Sequence, residues 1–416
     1  MQSSDFIESG IVFNLNTRAS LGKFKYYRSD FQKHGDAYKF IVDYFDTYGE
    51  FPSVETVCEN YPTLDPSAQS LNLDYALDAF QKQVLFRQIV GTFQSNKELI
   101  STEPKQALSK IMAALGDVEL VYDDDVVEYS TKADKRLDSW KERKKRRKFG
   151  GGLLGVPTSF PSLNSTGVGW MPGELISLYA RPTVGKTWLC VHAAATAVLN
   201  GFRTLLVSTE MPVEAISLRT DVVLANMMGY DLSHRALRNG DEMDEEEYKV
   251  FLQAVEEQQL LVCDHIEGAS SITIDSIASL IRKHSPDFVV LDGIYLVSTG
   301  INMKKAMWEQ SHAVFYGMKN LCLSTNTPIF VSTQATRDAA ANMYAPPRPD
   351  QVAFGDALIR ASDVAMAMAM VEGEDQKRLV QYQKYRDGQL HLDATMLTWD
   401  VNKGNIKEIP YEDQKF

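Results

Sequence analysis

From about residue 170 onward, short apolar runs alternate with segments of helical periodicity. Glu174–Ala180 (ELISLYA) is a candidate buried strand, followed by a glycine-containing turn and a helix. Phe202–Thr209, Leu260–Asp264, Phe288–Leu291 and Ile329–Thr333 supply further strands, and Val364–Val371 and Arg378–Tyr385 extend the sheet. Between two of these runs, Met307, Ser311, Val314, Met318 and Leu321 trace one face of a helix. Strands separated by helices imply right-handed crossovers and a mainly parallel sheet, hence an α/β fold. Met366, Met368 and Met370 alternate as sheet-packing residues do and are read as core, not as ligands.

The earlier part of the chain has another pattern. Leu73, Leu77, Phe80 and Val84 recur at helical spacing, followed by Ile89 and Phe93. Lys105–Leu115 predicts a second helix with Ala107, Leu108, Ile111 and Met112 towards a core. Gly49, Pro52, Pro62 and Pro66 punctuate the segment. Residues 1–128 therefore form a small all-α domain, and no catalytic constellation is visible in it. An acidic patch at Asp123–Asp125 gives way to a basic stretch. Lys132–Lys148 holds ten Lys/Arg against three Asp/Glu, a balance of +7. Leu137 and Trp140, three residues apart, give this linker a small apolar face. Such a linker can be solvated, can dock on a neighbouring subunit, or can contact phosphates. Gly150, Gly151 and Gly152 close it as a hinge. The expected boundaries are thus 1–128 for the helical domain, 129–152 for the linker and 153–416 for the α/β domain.

Composition narrows the class. The chain has 416 residues, enough for two or three domains, with 44% hydrophobic and 24% charged residues, ordinary for a soluble globular protein. Cys58, Cys190, Cys263 and Cys322 lie far apart with no CxxC pair. That argues against a disulfide scaffold or structural zinc and for free thiols in a reducing cytoplasm. The opening MQSSDFIESGIVFNLN lacks the basic and apolar regions of a secretory signal, and no apolar run approaches the length of a membrane span. A net charge of −12 argues against non-specific coating of DNA or membranes but leaves room for a local basic channel.

The sharpest motif is Ala180-Arg181-Pro182-Thr183-Val184-Gly185-Lys186-Thr187. It departs from the GxxxxGK[ST] phosphate loop only at Ala180, and it lies between a predicted strand and a predicted helix. Backbone N–H groups around Thr183–Lys186 can surround phosphate oxygens, and the helix N-terminus favours their charge. Arg181 through Trp188 therefore form the expected nucleotide-binding segment. Lys186 can reach the β and γ phosphates of ATP, and Thr187 can offer its hydroxyl to Mg²⁺. Asp292 ends an apolar strand where it can organise Mg²⁺, directly or through water. Glu210 follows the strand LLVST and can polarise an attacking water. Gln334, after Ser332 and Thr333, can sense the γ phosphate or relay its loss.

With these elements assembled, the chain resembles the DnaB-like replicative DNA helicases, a hexameric branch of the RecA-like ATPases, and looks like a phage-type member. The likeness is carried by residues 155–187, by STEMP (208–212) with Glu210, by LDGIYLV (291–297) and by VSTQATRD (331–338) with Gln334. Lys384-Tyr385-Arg386-Asp387-Gly388 resembles the family's basic hairpin, whose Lys and Arg reach the neighbouring subunit's ATP. From the residues alone, Lys384 and Arg386 are equally a pair of solvated edge-strand charges. The resemblance implies a RecA-like core, a homo-hexamer, 5′→3′ translocation on single-stranded DNA and unwinding of forked DNA. It implies a collar formed by the N-terminal domain, a linker helix docked on an adjacent subunit, and primase and a helicase loader as partners. The lack of a long apolar run predicts no membrane association, and the expected location is the cytoplasm, that of the host cell for a phage-encoded member. Channel-facing loops at Ser298–Lys305 and Asn342–Gly355 offer Lys304, Lys305 and Arg348 to DNA, with Arg360 just beyond. The family commonly carries an arginine within an Asp-Leu-Arg-Glu-Ser-Gly stretch, and Ala353 occupies that position here. A recombination or repair ATPase of the same superfamily, or a non-translocating replisome loader or scaffold, are the alternative readings.

Overall fold

Six parallel strands carry the larger half of the protein, and their order brings the predicted strand-end side chains together. The computed structural model describes residues 4–17, 20–21, 28–116, 129, 133–149, 151–266, 271–298, 307–336, 343–352, 357–386 and 394–410. The chain divides into two compact units, Met1–Lys132 and Ala133–Phe416.

In the first unit every regular segment described is helical. Its main helices are Ser4–Asn14, Gly35–Tyr48, Leu73–Ser95 and Pro104–Gly116. Asn72 caps the long helix by accepting the N–H of Tyr75 at 3.1 Å. Ile7, Ile11, Phe31, Ile41, Phe80 and Val84 close one core. A fully buried carboxylate, Glu8, accepts the backbone N–H groups of Gln32, Lys33 and His34 at 2.9, 3.0 and 3.1 Å, pinning that loop to the first helix. Two expected core positions differ. Phe93 is 47% exposed, beyond the last buried turn of its helix, and Leu108 is 59% exposed, beside the buried pair Ala107 and Ile111. The side chain of Met112 lies outside the described residues.

The second unit begins with the basic helix Ala133–Phe149, exposed along its length in the single chain. Its Leu137 and Trp140 are 50% and 52% exposed, and the Lys144 ammonium lies 5.2 Å from the Trp140 ring centre. Among the described residues eight strands follow: β1 (Leu175–Ala180), β2 (Thr204–Ser208), β3 (Leu260–Cys263), β4 (Phe288–Asp292), β5 (Ile329–Gln334), β6 (Val364–Val371), β7 (Glu374–Tyr385) and β8 (Ala394–Thr398). They form one sheet in the order β3-β2-β4-β5-β1-β6-β7-β8. The pairings from β3 to β6 are parallel, and β7 and β8 return antiparallel. β8 has no counterpart in the sequence-based expectation. Helices Lys186–Leu199, Val213–Met228 and Glu245–Val255 cover one face, and Ile274–His284, Met307–Thr325 and Ala357–Ala361 the other. Met366 and Met368 pack into the first face, while the intervening Ala365 and Ala367 meet Tyr179, Val352 and Ile359 on the other. The four cysteines are free. Among the described residues, no helix is long and apolar enough to cross a membrane.

Candidate functional site

The parallel registers align the ends of four strands. Ala180 pairs with Gln334, and Ser208 with Asp292, so the carboxyl ends of β1, β5, β4 and β2 open on one rim. Ligands of open α/β sheets sit at such rims.

The loop after β1 owes its shape to two left-handed residues, Thr183 (φ +69°) and Gly185 (φ +113°). Gly185 is required twice over: its φ suits glycine, and a Cβ there would strike the indole of Trp399. Trp399 is itself held under the Arg378 guanidinium at 5.0 Å, and Arg378 Nε donates to the Val184 carbonyl at 2.8 Å. The helix starting at Lys186 has neither a side-chain cap nor an acidic residue in its first turn. Its leading N–H groups and partial positive charge therefore favour an anion. Arg181 adds a buried Nη1 without a hydrogen-bond partner. Lys186 is only 8% exposed, and its ammonium reaches the carbonyls of Ala180 and Arg181 at 3.4 Å each. Burial holds its pKa below the ordinary lysine value, opposed by Glu210 and Asp292. Such a desolvated, loosely bonded cation beside uncapped N–H groups fits the phosphates of a nucleotide.

Asp292 is buried at the end of β4. Its Oδ2 accepts the Thr187 hydroxyl at 2.6 Å, and its Oδ1 accepts the Ser332 hydroxyl at 2.6 Å. Thr187 and Asp292 thus present a hydroxyl and a carboxylate on one spot, the oxygen chemistry Mg²⁺ takes alongside phosphates. Glu210 stands beyond β2, where its Oε1 accepts the Tyr295 hydroxyl at 2.6 Å. Gln334 Nε2 donates to that same hydroxyl oxygen. Lys186, Thr187, Asp292, Glu210 and Gln334 therefore converge. Pro182 and Thr183 are exposed on the loop, whereas Val184 is buried behind it. Trp188 turns its ring away, edge-on to His234 at 5.0 Å and under Arg219 at 5.3 Å.

Lys384 and Arg386 lie elsewhere. Tyr385 pairs with Val364 at the start of β6, so the end of β7 is at the amino rim of the parallel strands. There Lys384 Nζ donates to the carbonyls of Ile359 and Arg360 at 2.9 Å each, and Arg386 pairs with Asp363 at 2.9 Å. Arg386 follows the strand instead of lying in it, and Asp387 and Gly388 fall outside the described residues. Of the DNA candidates, Lys304 and Lys305 also fall outside them, as does Ala353. Arg348 is exposed and pairs with Asp350 through two bonds of 3.1 Å, in a segment bridged to the end of β5. Arg360 is exposed on the short helix leading into β6.

Sequence reasoning missed Tyr295, Ser332 and the Arg378–Trp399 support. Ser332 had a signal: it lies two residues from Gln334 and so shares its strand face. Tyr295 sits in a single 3₁₀ turn, Ile294–Leu296, where no periodicity marks it.

A parallel sheet of this order, bearing this rim and preceded by an all-α unit, is a RecA-like ATPase fold. The sequence matches the family described as DnaB-like helicase C terminal domain over residues 155–403. The chain belongs to the DnaB-like helicase family. It is 26% identical over 186 residues to a probable plasmid replicative DNA helicase of Chlamydia trachomatis, a match covering 44% of this chain and 39% of that one. It is 29% identical over 133 residues to the replicative DNA helicase DnaB of Haemophilus influenzae, covering 32% and 27%. The chain thus spans less than half the length of these relatives. Among solved structures, a DnaB-like replicative helicase studied for its interactions with primase aligns over 98% of this chain and 99% of its own. Its TM-score is 0.70 at 15% identity. A second solved structure, of an ATPase domain alone, aligns over 69% of this chain and 100% of its own, with a TM-score of 0.59 at 16% identity. Both likenesses are of fold.

Proposed function

We propose that this chain is an ATP-hydrolysing replicative DNA helicase that works as a ring of six copies, translocating 5′→3′ on single-stranded DNA and unwinding the fork. The observation that carries this reading is the separation of two half-sites. Lys186, Thr187, Asp292, Glu210 and Gln334 gather at one rim of the sheet, and Lys384 and Arg386 stand at the opposite rim. A neighbour in a head-to-tail ring can bring the second half to the first, as heterologous interfaces close into rings.

The roles follow from chemistry. The loop 181–187 and Lys186 bind the ATP phosphates. Mg²⁺, held by Thr187 and by Asp292 directly or through water, would neutralise phosphate charge. Glu210 orients and polarises the attacking water. Gln334 meets the γ phosphate and reports its loss. A neighbour's Arg386 and Lys384 stabilise charge on the transferring group. Residues 1–128 serve as the collar and primase-facing domain, and the helix within 129–152 docks on an adjacent subunit through Leu137 and Trp140. Residues 153–416 are the motor. Lys304, Lys305, Arg348 and Arg360 remain the candidates for backbone contacts to single-stranded DNA, with primase and a loader as protein partners.

The test is unwinding of forked duplexes bearing a 5′ or a 3′ tail, with ATP and Mg²⁺, and with the assembly state recorded in the same samples. Unwinding that requires the 5′ tail, from a six-subunit species, supports the reading. DNA-stimulated hydrolysis from an assembled ring without unwinding on either fork would replace it with a recombinase-like or scaffold role.

A further inference from the structure

Glu210 follows the end of β2 and Gln334 closes β5, and among the described hydrogen bonds none joins the two directly. One side chain joins them. The Tyr295 hydroxyl donates to Glu210 Oε1 at 2.6 Å, and Gln334 Nε2 donates to the same hydroxyl oxygen. The direction of this chain is fixed by the groups themselves. A carboxylate only accepts, an amide nitrogen only donates, and a phenol does one of each. Burial, and then Glu210, push the Tyr295 phenol well above the ordinary tyrosine value, so it keeps the proton it must donate. The other side of Glu210 is set by backbone. Gly293 has φ +99°, and a Cβ there would press on the Thr209 hydroxyl and come within 3.2 Å of Glu210 Cγ and 3.3 Å of its Oε1. Thr209 is in turn tied to the carbonyls of Asp292 and Gly293 at 2.8 and 2.9 Å. The Glu210 carboxylate is thus held between the Gly293 backbone and one phenol, leaving Oε2 for a water.

We propose that Tyr295 is a positioning residue that couples Gln334 to Glu210, so that the orientation of the water-activating carboxylate depends on the residue meeting the γ phosphate. The proposal rests on the nucleotide-site reading above and goes beyond it by assigning the link. No proton leaves Tyr295; its role is to hold Oε1 and to tie that hold to the amide.

The experiment compares wild type, Tyr295→Phe, Gln334→Ala, the double variant and Lys186→Ala for kcat and KM of ATP hydrolysis, affinity for a non-hydrolysable analogue, and Tm. Tyr295→Phe removes one oxygen from a half-buried ring, so Tm should hold. We expect kcat to fall about tenfold, with KM and analogue affinity within about twofold, because positioning acts in the transition state and not on binding. Gln334→Ala should cost clearly less in the Tyr295→Phe background than alone, since the two act as a unit. Wild-type kcat in Tyr295→Phe, or additive effects, would overturn the coupling. A merely structural tyrosine would lower Tm and leave the cost of Gln334→Ala unchanged. If Lys186→Ala is inactive while Tyr295→Phe is unimpaired, only the tyrosine assignment fails. If Lys186→Ala hydrolyses normally, or wild type does not hydrolyse at all, the nucleotide site fails and the coupling with it.

Discussion

Arg386 donates from Nη1 to Oδ1 of Asp363 at 2.9 Å, at the rim of the sheet opposite the chain's own 181–187 loop. Between Val364, beside this pair, and Met368, beside Ala180, β6 runs four residues, roughly 13 Å at 3.3 Å per residue. Asp363 also receives the Lys319 ammonium at 2.7 Å and the Leu175 N–H at 2.8 Å, both on Oδ2, so its charge stays partnered if Arg386 leaves Oδ1. Arg386 is half exposed, so its guanidinium is already partly hydrated when it leaves, while the buried Asp363 keeps the Lys319 ammonium as counter-charge. Arg386→Ala should therefore leave nucleotide affinity nearly intact and lower DNA-stimulated hydrolysis on the order of 10³-fold, as loss of an arginine finger does. Mixing it with Lys186→Ala subunits tests the trans arrangement. Activity that follows only the fraction of active subunits would count against it.

Lys186 predicts a separation of stability from activity. Its ammonium is buried with only two long carbonyl contacts, and burial is the largest influence on it. With the folded value below the unfolded one, the charged side chain costs stability at neutral pH, and the cost lessens as pH rises towards the unfolded value. Lys186→Met fills the same space without a charge. Hydrolysis should vanish, while Tm of the nucleotide-free protein should rise by about 2–4 °C for each kcal/mol relieved. A lower Tm by calorimetry would show that Glu210 and Asp292 compensate the buried charge in full.

Much of the fold was legible because buried parallel strands are short apolar runs with polar ends. FVVLD and LLVST mark β4 and β2 and, with their ends, Asp292 and Glu210. The convergence of Lys186, Asp292, Glu210 and Gln334 followed from strand ends sharing one rim. Other features stayed hidden for physical reasons. β8 shows no alternation, since adjacent Met396 and Leu397 are both buried at the sheet's end. Phe93 and Leu108 keep helical spacing, but spacing says nothing of where a bundle stops covering a helix. The place of Arg386 depends on β7 reversing direction, which an apolar pattern does not encode. Tyr295 joins two strands through space, from a turn too short for any period.

Gly185 links the loop to the far end of the chain through Trp399. Gly185→Ala meets both the left-handed φ and the indole. The strain is of the roughly 1–3 kcal/mol class for a non-glycine residue in such a conformation, before any steric overlap. Nucleotide binding, followed by titration calorimetry, should be lost in Gly185→Ala. Adding Trp399→Ala removes the collision but not the φ strain, so it should recover only part of the affinity. Full recovery would mean that the indole alone dictates glycine here.

His192 gives the α/β unit an acid sensitivity. Its ring is buried in the helix Lys186–Leu199, with Nδ1 lacking a hydrogen-bond partner, and burial pushes its pKa down to about 4 from an ordinary 6.5. A backbone hydrogen bond with Ile406 opposes that shift only weakly. Between these two values the unfolded chain takes a proton that the folded one refuses. Stability must then fall as pH drops from about 6.5 towards 4, and this contribution flattens below 4, where both states are protonated. The full difference is roughly 3 kcal/mol. His192→Leu keeps the volume and removes the proton site. Its Tm should lie near that of wild type at pH 7 and exceed it increasingly down to about pH 4.5, measured in matched buffers. Parallel pH profiles for the two proteins would mean that the ring finds a partner for its second proton inside the fold.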